Sequence, residues 1–431
     1  MQHFFMGKTF WLYSIIVILI LSIFSFAQFG PSSTSKVRHL KVALVNEDSG
    51  SQGQKIVRKL HDAFKKKDSV IKWKTVSSVK KVHEGFNQKK YYAAVIIPQN
   101  FSDKLATLTT ATPHQATLKF WINQGMNAET STIFSTLFDK LGTRLNQGMS
   151  TKIMQGMDMK LQVITMKLQQ ASLSAVPPKP VTPLQAAKIK QIAKAQQAAK
   201  ATALKTITER SKQTSEVLGH PIKTEIKLFH KIGTHSAGGN APVLFTMLAW
   251  LGGLVCSLLL WRAFKKMGDG ALSLKLVTGQ LLAGFVLSII ESLTLWWVVG
   301  GMMNVPVPNG GTFVMALSLS AFVFFLIQTA VLDWLGFGGW PIVLLIWFYG
   351  SPLLPYPPEM LNGFFRYGIY SWVPVRFGME AIKDVLYFGS RSDFSTMITI
   401  LSLIGAGALL LVFGSGYFQQ LRRKRVGDQP V

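Results

Sequence analysis

The sequence predicts an α-helical membrane protein of six spans, one plus five, with an extracytoplasmic α/β domain and a long helical hairpin stalk inserted after the first span. Three observations carry this prediction. A lone apolar stretch stands near the N-terminus, five more crowd the region after residue 240, and the polar segment between them changes period once, from strand-helix alternation to a sustained helical repeat.

A bilayer core of about 30 Å requires about 20 mainly apolar helical residues, and Phe10 to Phe29 supplies that length without a charged side chain. The later spans are expected at Ala241 to Trp261, Leu274 to Gly300, Thr312 to Val331, Pro341 to Leu354 and Phe394 to Phe418. The fifth is short and bounded by proline. Such a segment fits a broken or re-entrant helix, tolerated in a membrane only where neighbours or a cavity satisfy its backbone. Ser25-Phe26-Ala27 offers a small-x-small cleavage site, but the first apolar run exceeds the roughly 7 to 15 residues of a signal peptide, so an uncleaved anchor is expected.

Lysine and arginine near span ends mark the cytoplasmic side. Arg262, Lys265, Lys266 and Lys275 lie between the second and third spans, and Arg422, Arg423, Lys424 and Arg425 follow the last. Both segments are therefore expected inside. Six crossings then put the N-terminus inside, in keeping with Lys8, and residues 36–240 outside a cell membrane crossed several times.

That outer region holds 33 Lys or Arg against 12 Asp or Glu, most of the chain's net charge of +26. Long domains translocate largely regardless of charge, so this excess is no topology signal. It favours contact with membrane lipid or anionic envelope polymers, with a merely solvated lysine-rich surface as the alternative. Nucleic acid is not an expected partner, because the basic residues are mostly lysine and dispersed. Cys256 is the only cysteine, which excludes an intrachain disulfide and a cysteine metal site.

Four domains are expected, at residues 1–35, 36–125, 126–240 and 241–431. In the second, Leu40 to Val45, Val70 to Val76, Tyr91 to Ile97 and Ala116 to Ile122 read as strands, and Gly53 to Lys67, Ser78 to Lys90 and Gln99 to Leu108 as helices. This alternation predicts an α/β sheet layer. The acidic pair in Asn46-Glu47-Asp48-Ser49-Gly50 reads as turn and capping chemistry rather than a metal site. Phe134, Phe138, Leu141 and Leu145, then Met154, Met157, Leu161, Ile164 and Leu168, form a coiled-coil-like seam. Pro177, Pro178, Pro180 and Pro183 interrupt it, and a second helix is expected from Leu184 to Val217, giving a hairpin of up to about 65 Å.

The membrane domain carries few chemical signals. Ala249, Gly253 and Ser257 make a small-residue row for close helix approach. Glu291 is an intramembrane carboxyl, with Gln280, Gly284 and Ser288 expected on its face, and is a functional candidate or a structural hydrogen-bonding group. Pro355 to Gly389 reads as an amphipathic helix at the outer surface or packed on the spans. Its apolar stripe is Val375, Met379, Ile382 and Leu386, and Arg376, Glu380, Lys383 and Asp384 can pair at helical spacing. Gly7-Lys8-Thr9 lacks the upstream glycine and strand of a P-loop. No catalytic or metal-binding motif stands out, and an enzyme that hydrolyses ATP itself is not expected.

The strings VALVNEDSG and YYAAVIIPQNFS, with HPIKTEIKLFHKIGTHSAGGNAPVLFTMLAWLGGL before the second span, resemble the pattern of the YhgE/Pip phage infection proteins. SWVPVRFGMEAIKDVLYFG resembles the outer helix before the last span of type-2 ABC exporter permeases, the superfamily to which those proteins are assigned. The resemblance implies a permease that usually forms a homodimer, binds no cofactor itself and uses ATP through a separate ATPase subunit. The ATPase would engage Arg262, Lys265, Lys266 and Lys275. One departure is that relatives commonly carry an amphipathic helix before the first span, where this chain has only Met1 to Thr9. The alternative function is a surface scaffold, phage receptor or secretion accessory protein acting through the basic outer domain.

Overall fold

The computed structural model describes residues 8–66, 68–110, 113–173, 217–390 and 393–427. Helix α1 (Lys8–Thr34) leads into a sheet domain containing β1 (Leu40–Asn46), α2 (Ser51–Ala63), β2 (Ile71–Thr75), α3 (Val79–Asn87), β3 (Ala93–Ile97), α4 (Phe101–Ala106), β4 (Ala116–Asn123), α5 (Ala128–Leu173) and β5 (Ile222–Phe229). The membrane domain follows as α6 (Ala241–Met267), α7 (Leu274–Leu295), α8 (Gly310–Leu335), α9 (Trp340–Gly350), α10 (Pro374–Lys383) and α11 (Phe394–Gly427).

The expected alternation of strands and helices is present, with one strand more. The sheet runs β2-β1-β3-β4-β5, parallel except for the antiparallel β3–β4 pair. Ile222–Phe229 adds the fifth strand, parallel to β4, inside the segment expected only to return to the membrane. Its alternating Lys223, Glu225 and Lys227 are what an edge strand shows when one face is solvated. Helices α2, α4 and α5 cover one face and α3 the other. On the first face, Val42, Leu44, Val95 and Phe120 pack with Ile56, Phe101, Phe134 and Phe138. On the second, Ala43, Val45 and Ile96 meet Val82 and Phe86. Such double coverage explains why β3 is buried throughout.

The seam predicted on α5 is corrected in its first half. Phe134 and Phe138 are fully buried, and Phe138 stacks on Phe120 of β4 with centroids 4.5 Å apart. These residues pack on the sheet of their own chain. The downstream seam lies on α5 where side chains are not described, and the helix expected from Leu184 to Val217 falls outside the described residues, except for its final residue. Asp48 has a capping role. Its Oδ2 accepts from the Gly53 N–H at 3.1 Å and the Ser102 hydroxyl at 2.6 Å, and its Oδ1 from the Ser102 N–H at 3.0 Å, tying the starts of α2 and α4 together.

Five described stretches are long and apolar enough to cross a membrane: Ile15–Thr34, Ala241–Met267, Leu274–Met302, Gly310–Leu353 and Phe394–Arg423. The fourth contains both the fourth and fifth expected spans. Its 44 residues are broken at Gly336, whose φ of 65° and ψ of −158° are open essentially to glycine alone. The chain folds back there into α9.

Helix α8 is the centre of the bundle. Phe313, Leu317, Phe324 and Phe325 are buried along it. α6 runs parallel to it, with Phe245 against Phe313 and Trp250 against Phe324. The predicted small row on α6 permits this approach, since Ala249 and Ser257 are fully buried and a Cβ at Gly253 would lie 3.3 Å from the Phe325 backbone nitrogen. α7 crosses on another side, where a Cβ at Gly284 would lie 2.1 Å from the Phe325 ring. Gly284→Ala therefore forces a fully buried ring aside and should destabilise the bundle by about 1–3 kcal/mol. A thermal unfolding midpoint equal to wild type in the same detergent would contradict that contact.

Candidate functional site

The most highly charged buried constellation joins the sheet domain to α10. α3 ends at Asn87, and the chain reverses into β3 through Lys89, which has a left-handed φ of 52°. The Lys89 N–H donates to Phe86 O and the Lys90 N–H to Gly85 O, closing the helix end. The reversal directs the Lys89 side chain away from the sheet and toward α10. Its Nζ stands 2.5 Å from Asp384 Oδ1, 3.4 Å from Glu380 Oε2 and 5.1 Å from the centre of the Phe388 ring. Lys383 completes the group at 2.5 Å from Glu380 Oε1.

This cluster is largely buried. Lys89 is 7% exposed, Asp384 is 0% exposed, and Glu380 and Lys383 are nearly covered. Burial pulls the Lys89 pKa down, but the Glu380 and Asp384 carboxylates outweigh it and hold the ammonium above its usual range. For Glu380, burial acts upward and is overcome by Lys383, Lys89 and Arg376, leaving the carboxyl at about 2. Burial dominates at the other two partners, lowering Lys383 and raising Asp384.

The expected amphipathic helix packs on the spans. Its apolar residues Val375, Met379, Ile382 and Leu386 are buried as predicted. Its charged face meets Lys89 of the sheet domain and is mostly covered. Arg376 does not join the ion pairs directly. Its Nη1 donates to the carbonyls of Tyr370 and Ser371 at 3.2 and 3.3 Å, and its guanidinium lies over the Tyr370 ring. A cavity of about 200 Å³ remains at the seam, bordered by Lys89, Tyr92, Tyr370, Arg376, Glu380 and Asp393.

Further struts surround the cluster. The Tyr92 hydroxyl donates to Glu359 Oε2 at 2.7 Å, and Lys41 Nζ lies 3.7 Å from Glu359 Oε1. Asn127 Nδ2 donates to Pro355 O, and the Tyr387 hydroxyl to Gly239 O. His230, just after β5, has one ring nitrogen 2.8 Å from Asn123 Oδ1 and the other 3.1 Å from Asn87 Oδ1, with its ring 4.4 Å from that of Phe388. Burial, followed by the nearby His83, lowers the His230 pKa to about 4. Lys89, Tyr92, Glu359 and His230 were not legible as site residues. Each is an ordinary residue in its local pattern, and only the docking of two domains distant in sequence brings them together.

The intramembrane candidates separate. Gln280 and Ser288 are buried on α7, and the Ser288 hydroxyl donates back to Gly284 O. Glu291 faces Gly252 of α6 instead, and its Oε1 is buried without a hydrogen bond. A Cβ at Gly252 would lie 2.0 Å from that oxygen, so the glycine makes room for the carboxyl. Two polar groups of α8 were missed. Asp333 Oδ2 accepts from the Ser415 hydroxyl at 3.5 Å, and Gln328 Nε2 donates to Trp250 O at 3.0 Å.

The basic candidates Arg262, Lys265 and Lys266 end α6, and Lys275 opens α7. Gln419 of α11 clamps the loop between these helices, accepting from the Leu272 N–H at 2.9 Å and donating to Asp333 O at 3.0 Å. Lys265 borders a cavity of about 770 Å³ with Trp261, Asp333, Trp334, Arg422 and Arg423, whereas Arg262, Lys266 and Lys275 do not line it.

Lys89→Met leaves the Asp384 and Glu380 carboxylates buried without that cation and should cost about 3–5 kcal/mol of stability. Adding Asp384→Asn should recover part of the loss, because the stranded charge is then removed. Additive losses in thermal unfolding would contradict a coupled pair. His230 predicts a pH dependence. Its folded pKa of about 4 lies below the ordinary 6.5, so the unfolded chain binds the proton first and stability falls as pH drops through that interval. Glu380 contributes stability that is lost only as pH falls toward about 2. The unfolding midpoint should therefore fall between about pH 6.5 and 4, and His230→Gln should reduce that slope. An unchanged slope in the variant would show that His230 does not report the seam.

A family described as a protein of unknown function (DUF3533) matches residues 10–182. The chain is also similar to the ESX secretion system protein YueB of Bacillus subtilis (strain 168), with 30% identity over 127 residues. That match covers 27% of this chain and 12% of the relative's length. No solved structure matches. The chain is thus a membrane protein related over part of its length to a secretion-system protein.

Proposed function

We propose that the chain is the membrane-embedded permease subunit of an envelope export assembly, moving a hydrophobic or envelope-related substrate with the energy of a separate ATPase. In this reading the two helices of Gly310–Leu353 are two crossings, the sheet domain lies outside, and the α6–α7 connection faces the cytoplasm. One observation carries the proposal. The ion cluster of Lys89, Glu380 and Asp384 fixes the sheet domain to α10, and the chain passes from α10 through Asp384–Phe388 into the last membrane helix. A movement of the bundle at α10 is then a movement of the sheet domain. An ATPase docked at Arg262, Lys265, Lys266 and Lys275 would act on α6 and α7, both packed on α8, and so on the same unit. Glu291, in a membrane helix beside Gly252, is the polar group placed to respond to such movement.

The second reading is a secretion accessory protein without transport. The similarity to a protein named as part of an ESX secretion system favours it. In that case the seam would hold the sheet domain and α5 at a fixed attitude to the membrane for other components.

Purification from its native membrane discriminates the two. The permease reading expects an ATPase to co-purify and to be lost on charge reversal at Arg262, Lys265 and Lys266. If no ATPase associates, while removal of residues 154–216 abolishes the cellular phenotype, the accessory reading holds. That deletion spares Phe134 and Phe138, which belong to the sheet core, so loss of phenotype would not be confused with loss of the domain.

A further inference from the structure

A second basic feature lies where the sheet domain meets the membrane domain, away from the ion-paired seam. A groove of about 640 Å³ opens there, walled by Lys41, Lys65, Lys66 and Lys72 of the sheet domain and Arg366 of the membrane domain. The opposing acids are Asp62 and Glu359. Glu359 is already engaged, accepting the Tyr92 hydroxyl and facing Lys41. The groove therefore carries a net positive charge from both domains. Phe64 and Trp73 supply an apolar wall, in edge-to-face contact at 5.9 Å. The Trp73 indole N–H is satisfied by Leu60 O at 3.1 Å, so the ring requires no polar partner from a ligand.

The height of the groove is set by its neighbours. Phe365 stacks on Phe26 of α1 with centroids 5.4 Å apart, a Cβ at Gly30 would meet the same ring at 2.6 Å, and Asn362 donates to Thr34, the last residue of α1. Arg366, the next residue after Phe365, thus leaves the bundle level with the last turns of a membrane helix. Phe364 and Tyr367 flank it at 55% and 69% exposure, in the manner of aromatic residues at a membrane interface. A ligand reaching Arg366 comes from the headgroup layer of the bilayer.

We propose that this groove binds the phosphodiester headgroup of an anionic phospholipid, in the outer leaflet on the orientation given above. Arg366 meets the phosphate from the membrane side through charge-assisted hydrogen bonds, for which its planar fork is suited. Lys65, Lys66 and Lys72 complete the positive field from above. Phe64 and Trp73 pack against the glycerol portion. A soluble polyanion would satisfy the lysines but has no acyl chain to lie beside Phe364 and Tyr367. A bound headgroup would bridge the two domains at the groove, as Lys89 bridges them at the seam.

The test titrates the purified full-length chain in neutral detergent with short-chain phosphatidylglycerol, short-chain phosphatidylcholine, and soluble polyglycerol phosphate as competitor. The groove variant is Lys65→Glu with Lys66→Glu and Lys72→Glu. The control reverses Lys80, Lys81 and Lys223, exposed residues on α3 and the far sheet edge. Phosphatidylglycerol should bind in preference to phosphatidylcholine, and the groove variant should weaken that binding by about a hundredfold, at about fivefold per lysine. Arg366→Gln should cost about fivefold and serves if the triple variant fails to fold. Equal losses in groove and control variants would overturn the proposal in favour of general charge attraction. Displacement of the lipid by polyglycerol phosphate at equal phosphate concentration would overturn it in favour of a polymer ligand, and equal binding of the two lipids would overturn it outright. Binding in detergent is independent of which side the sheet domain occupies, so failure here and failure of the proposed orientation are separate results.

Discussion

The structure depends on one buried electrostatic constraint, the ammonium of Lys89 held between Asp384 and Glu380 at the seam between the sheet and membrane domains. Glu380 has Lys383 of its own helix beside it, whereas the cation closest to Asp384 is Lys89, from a turn nearly three hundred residues away in sequence. The apolar face of α10 is buried against the bundle, and docking of the sheet domain adds Lys89 to its charged side. Buried ion pairs are weak sources of net stability compared with well-packed apolar groups. What this one supplies is orientation, since an ammonium that must meet two carboxylates at once permits little sliding between the domains.

The surrounding contacts follow from that orientation. With Lys89 in place, Tyr92 reaches Glu359, the His230 ring lies tilted against that of Phe388, and Asn127 meets Pro355. Below the seam, the bundle is organised around α8, to which α6 and α7 approach closely because small residues stand at Gly253 and Gly284. Several polar groups are buried between the helices of this bundle. Asp333 sits with Ser415 near one end of α8, Gln328 with Trp250 nearer its middle, and Glu291 beside Gly252.

Much of this was legible in the sequence, for physical reasons. The membrane helices announce themselves by length and apolarity, and the first four strands by short β-branched and aromatic runs between turn residues. The pairing of Val375, Met379, Ile382 and Leu386 as one buried stripe followed from helical period. The fifth strand escaped notice because Lys223, Glu225 and Lys227 give an edge strand the composition of a linker. Phe134 and Phe138 were assigned to a stalk because helical period says which residues share a face, not what the face meets. For the same reason helical period could pair Arg376, Glu380, Lys383 and Asp384 with one another but could not bring in Lys89. Lys89 itself is placed by a left-handed turn with no local charge pattern to mark it.

A membrane protein with its soluble domain locked to the helix before its last span is suited to transmit or to hold a position, and both functional readings require the lock. The most direct measurement is the distance distribution between spin labels at Glu47, exposed on the sheet domain, and Gly363, where an added side chain meets nothing within 4 Å. Cys256, the only native cysteine, would first be replaced. In lipid bilayers a rigid seam predicts one narrow distance population, which broadens when Lys89 is replaced by Met. A broad or bimodal distribution in the otherwise unaltered chain would contradict the claim that the two domains move as one body.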